Sequence, residues 1–103
     1  MYQLTALYQH PEDVEAFDRH YREVHAPLAA KLPGLDRFSL TWCADGPDGQ
    51  RPPYHLIAVL TAPSKATMDA ALSGPEGEAA VADLANFAGA GVDLVFGETD
   101  TVL

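Results

Sequence analysis

"RFSLTWCADGPDGQRPPYHLIAVLTA" (residues 37–62) decides how this chain folds. Residues 37–43 alternate, with Phe38, Leu40 and Trp42 on one side and Arg37, Ser39 and Thr41 on the other. That two-residue period is the signature of a strand. Residues 54–62 are too apolar to leave a face fully wet and read as a second strand. Between them, "ADGPDGQRPP" (44–53) is turn chemistry throughout. The pair predicts a long antiparallel hairpin in the middle of the chain.

The flanks mirror each other around it. "YQLTALY" (2–8) has the β-formers and length of a strand. "HPED" (10–13) then opens a helix, with Pro11 near the first helical position and acids in the first turn. His10, just ahead, reads as a turn or cap residue. Val14, Phe17, Tyr21, Val24 and Leu28 follow as an apolar stripe, until Pro33 and Gly34 stop the segment. Beyond the hairpin, Pro63 and Ser64 open a second helical region. "SGPEG" (73–77) interrupts it, and Ser73 with Glu76 matches a capping box. Gly89 and Gly91 end it, and "VDLVFGE" (92–98) is a last strand.

The order β-α-β-β-α-β is the α+β, ferredoxin-like arrangement, with a four-stranded antiparallel sheet and a single domain over residues 1–103. Two helices cover one face of such a sheet. Leu7, Ile57 and Val59 have the size to pack a second layer on the other, so a homodimer closed like a barrel is expected.

Charge narrows the partners. Six basic residues against 15 acidic ones give a formal net charge of −9, unsuited to nucleic acid or an anionic membrane surface. No apolar run approaches the roughly 20 residues of a membrane helix. The opening "MYQLTALYQHPED" has no signal-peptide pattern, and the lone Cys43 fits a reducing compartment, so a cytoplasmic location is expected. His20 and His25, five apart on a regular helix, point to different flanks, unlike the histidines of a zinc protease helix. No convergent carboxylate set, cysteine pair, nucleotide-binding glycine turn or serine elbow occurs. No metal and no cofactor are expected.

The candidate site lies in "FDRHYREVHAPL" (17–28). Tyr21 and His25 are one turn apart, and Pro27 should end or kink the helix near His25. His25 would then sit at the edge of the apolar band beside free carbonyls, where dipole and burial act oppositely on its charge. That makes His25 a candidate general acid/base, with Tyr21 as its partner. A helix-end histidine that merely bonds the last carbonyls is the competing reading. His20, on the polar flank, reads as solvated. Trp42, Tyr54 and Phe87 are candidate ligand-binding walls, with core packing the alternative for Trp42 and Phe87.

These features resemble the EthD family of the dimeric α+β barrel superfamily. The resemblance runs nearly end to end, through "LYQHPEDVEAFDRHYREVHAPLAAKLPGL" (7–35), with Tyr21, His25, Pro27 and Leu28, then "GPDG", "PPYHLIAVL" and "SGPEGEAAVADLANFAGAGV". It implies a ferredoxin-like monomer and a barrel-forming dimer. Related barrel families include cofactor-independent isomerases, cyclases, decarboxylases and monooxygenases on small organic molecules, with a pocket between sheet and helices. The expectation is a dimer that binds a small apolar or aromatic molecule and catalyses an acid/base step on it through His25. The alternative is a noncatalytic accessory or binding protein of a catabolic or biosynthetic pathway.

Overall fold

The computed structural model describes residues 1–103. The expected hairpin is present as β2 (Arg37–Trp42) and β3 (Leu56–Ala62), antiparallel with Phe38 opposite Leu60 and Trp42 opposite Leu56. Strand β1 (Tyr2–Tyr8) lies between β3 and β4 (Val92–Glu98), giving the order β2-β3-β1-β4. The first and last strands have the expected bounds. The hairpin strands are shorter, and Tyr54 and His55 belong to the connection, where the His55 N–H donates to the Tyr8 carbonyl.

Strand periodicity sorts the sheet into two faces. Tyr2, Leu4, Ala6 and Tyr8 of β1, with Leu56, Ala58, Leu60 and Ala62 of β3, are buried against the helices. The opposite face carries Thr5, Leu7, Ile57 and Val59 half-buried and Val95 exposed. The helices thus cover one face, as the β-α-β-β-α-β order requires.

Helix α1 (Val14–His20) begins three residues beyond Pro11. Asp13 is its cap, with Oδ1 accepting from the Ala16 N–H at 3.0 Å. His10 is not the cap. Its Nε2 lies 2.7 Å from the Pro52 carbonyl, tying the chain to the hairpin loop.

Pro27 does not end the helix. A π turn spans Tyr21–His25, closed by the Ala26 N–H on the Tyr21 carbonyl five residues back. An α-helical segment, α2 (Ala26–Ala30), continues beyond it. Widening the turn by one residue restarts the α register at Ala26, so Pro27 falls in a first turn, where a missing N–H does least harm. The inserted residue also rotates the buried stripe. Val24 is 40% exposed, whereas His25 and Ala29 are 5% and 4% exposed. His25 is therefore inside the band, not at its edge.

The second helical region is α3 (Lys65–Ser73), capped by the Ser64 hydroxyl on the Thr67 N–H, followed by α4 (Pro75–Phe87). The capping box does not form. The extended backbone of Gly74 caps α4, and the Ser73 hydroxyl turns back to donate to the Ala70 carbonyl. Gly77 permits the tight corner, because a Cβ there would lie 2.2 Å from the Leu72 carbonyl oxygen. Gly77, Ala80 and Asp83 form the buried face of α4. No helix is long and apolar enough to cross a membrane.

Candidate acid–base site

The π turn and α4 meet around one carboxylate. Asp83, 5% exposed, accepts from His25 Nδ1 at 2.9 Å and from His20 Nε2 at 2.9 and 3.0 Å. The Asn86 side-chain amide, one turn along α4, donates to Oδ1 at 3.0 Å. His20 is thus not a solvated flank residue. Its side chain is 26% exposed and reaches inward to the shared acid. In a regular helix, residues five apart diverge, but a turn closed by an i to i+5 bond brings them to one side. The π turn is what unites the two histidines.

Asp83 itself is not among the residues singled out from the sequence. A signal for it exists, since Asp83 stands at helical spacing from Ala80 and Phe87 on an otherwise apolar face. An acid there must be paired if buried. Burial opposes its ionisation, but the hydrogen bonds from Asn86, His20 and His25 outweigh this and hold the carboxyl below its ordinary range. With Asp83 ionised, each facing imidazole nitrogen carries a proton and donates.

Burial lowers the proton affinity of His25, and the bond to Asp83 offsets this only in part. A neutral His25 with its proton on Nδ1 leaves Nε2 as a lone pair. Nε2 makes no hydrogen bond to protein, and His25 lines an otherwise apolar cavity of about 120 Å³. Tyr8, Tyr21, Ala29 and Leu60 form part of its wall, and the half-exposed Val81, Leu94 and Phe96 stand at its outer side. Burial pushes the Tyr8 hydroxyl up to about 12, and raises Tyr21 further, with the Tyr8 phenol beside it acting in the same direction. Both phenols stay protonated and can only donate or accept hydrogen bonds near neutrality.

The remaining candidates stand elsewhere. Trp42 packs edge-on to Tyr21 at 6.0 Å beneath the Arg22 guanidinium, and Tyr54 donates to Asp93 at 3.4 Å. Neither borders the cavity. Phe87 packs on both imidazoles, 5.1 Å from His20 and 4.7 Å from His25, and lines a separate surface groove with His20. His55 binds Asp18 at 2.7 Å, pinning α1 to the hairpin. No cluster of three or more histidine, cysteine or acidic side chains has a geometry suited to a metal ion.

The model of the EthD domain matches residues 9–91, which include the whole π turn and Asp83. The chain belongs to the EthD family. It is 44% identical over 103 residues to an uncharacterized 11.0 kDa protein in the thcB–thcC intergenic region of Rhodococcus erythropolis, covering 100% of this chain and 99% of that one. The crystal structure of an ethyl tert-butyl ether d (EthD) family protein from Bacillus halodurans superposes with a TM-score of 0.91 at 36% identity, covering 97% of this EthD chain and 99% of that chain. A dimeric ferredoxin-like protein of unknown function from Thermobifida fusca shares the fold at a TM-score of 0.70 and 15% identity, over 95% and 90% of the two chains.

Proposed function

We propose that this EthD protein binds a small apolar or aromatic organic molecule in the cavity and moves a proton on it through His25. One observation carries the reading. In a wall that is otherwise apolar or phenolic, His25 is the one group able to take a proton, and with Nδ1 held by Asp83 its other nitrogen is left without a protein partner. A cavity of about 120 Å³ has the size for a single ring or a short branched chain, since an engineered apolar cavity of ~150 Å³ holds benzene. His25 Nε2 takes a proton from carbon beside a substrate carbonyl, the Tyr21 hydroxyl donates a hydrogen bond to the oxygen, and the imidazolium returns the proton at another substrate atom. The proton balance closes within the substrate, as in an isomerisation.

A panel of monocyclic ketones and phenols, followed by the His25 ring signals in NMR, tests the binding half. Compounds that enter the cavity move those signals, and a panel that moves none would remove the proposed ligand class. With a turned-over compound in hand, His25→Gln lowers the rate by roughly 10²–10⁴-fold while the fold persists. Unchanged binding and a loss below tenfold would leave a binding protein without acid/base chemistry.

The protein is further proposed to be a homodimer in which a second copy covers the bare sheet face. Leu7, Ile57, Val59 and Val95 form an apolar strip there, and the Thermobifida fusca neighbour is dimeric with the same fold. Two such sheets packed face to face give the barrel.

A further inference from the structure

Asp83 separates two spaces. On one side His25 borders the apolar cavity. On the other His20 lines an open groove with Glu12, Asp13, Asn86 and Phe87. Both imidazoles donate to the one carboxylate, and a single negative charge accommodates one imidazolium well and two poorly. Protonation on either side is therefore felt on the other.

We propose that Asp83 and His20 are positioning residues for His25: the carboxylate selects the ring tautomer that holds its proton on Nδ1 and leaves Nε2 bare, and His20 shares that carboxylate from the groove side. This rests on the acid–base reading of His25 and assigns the residues that govern it. Geometry supports both parts. The Asp83 oxygens lie in hydrogen-bond range of Nδ1 of His25 and Nε2 of His20, so in each ring the other nitrogen is left free of that carboxylate. The nearness of His20 also disfavours a charge on His25. The other titratable groups around the pair are accounted for. Tyr21 of the π turn and Tyr8 of β1 stay protonated, Asp18 of α1 is taken by His55, and Glu12 and Asp13 lie at the rim of the groove.

The test uses imidazole ¹⁵N spectra of the free protein across pH, with no ligand, so it stands apart from whether any compound binds. Wild type shows His25 protonated at Nδ1 and bare at Nε2 near neutrality. Asp83→Asn transfers the proton toward Nε2, because the carboxylate that holds Nδ1–H is gone. His20→Gln keeps a donor on Asp83 but removes the second imidazole, and raises the proton affinity of His25. An unchanged tautomer in Asp83→Asn, or an unmoved His25 titration in His20→Gln, overturns the proposal. Should Asp83→Asn not fold, the His20→Gln titration decides alone. Stoichiometric Zn²⁺ binding at the three side chains would also overturn it, since the cluster would then hold a cation and not shared protons.

Discussion

His25 and Asp83 make opposite demands on acidity, and the two separate in a pH titration of stability. Stability rises with pH wherever the unfolded chain binds more protons than the folded one. Burial lowers the folded His25 affinity against the opposing pull of Asp83. An unfolded histidine therefore takes its proton first, and stability declines as pH drops below about 6.5. Asp83 has its folded affinity depressed, by hydrogen bonds that outweigh its burial. Its stabilisation is complete above about pH 3.9 and is lost as pH falls further, through the folded value. Urea unfolding from about pH 8 to about pH 3 should show two successive declines, with His25→Gln removing the first. A first decline that survives the substitution would place its origin in another group.

At the scale of elements, two local devices shape the site. The π turn lets the first helix pass Pro27 and gathers His20 and His25 on Asp83. The corner between α3 and α4 sets the angle at which α4 delivers Asp83 and Phe87, and Gly77 makes that corner. A side chain at position 77 meets backbone and not a flexible tip, so it has nowhere to yield. Gly77→Ala should destabilise the fold by about 1–3 kcal/mol in urea denaturation, despite the better helix propensity of alanine. A neutral or stabilising outcome would mean that the corner relaxes freely. Both devices lie in segments read differently from the sequence, as an end or kink of the helix near His25 and as a capping box at Ser73.

For the whole molecule, the decisive surface is the sheet face without helices. If a second copy covers it, sedimentation at micromolar concentration gives twice the chain mass, and Ile57→Asp, which places a charge beside Leu7 and Val59 in the strip, gives a monomer. A wild-type monomer under those conditions would rule out the barrel. The cavity lies on the other face, between sheet and helices, so a monomeric Ile57→Asp should still present the His20–Asp83–His25 cluster.

Strand and turn identity were set by the sequence alone, because a two-residue alternation and turn residues are local properties of the chain. β1 and β4 fall at residues 2–8 and 92–98 as expected, and the hairpin pairs as "RFSLTWC" and "YHLIAVLTA" suggest. The stripe through Tyr21 and Leu28 likewise placed a helix over this stretch. What no local pattern could supply was the register inside that helix. A π turn is stabilised by what it packs against, and its signature is one extra residue in a turn that reads equally well as α. Assuming α geometry set Val24 inward and separated His20 from His25. The tertiary structure reverses both. Asp83 lies 58 residues beyond His25 in the chain, and only packing of α4 across the π turn makes it their common partner. A buried acid is tolerable only where folding brings its donors to it, so that choice belongs to the fold.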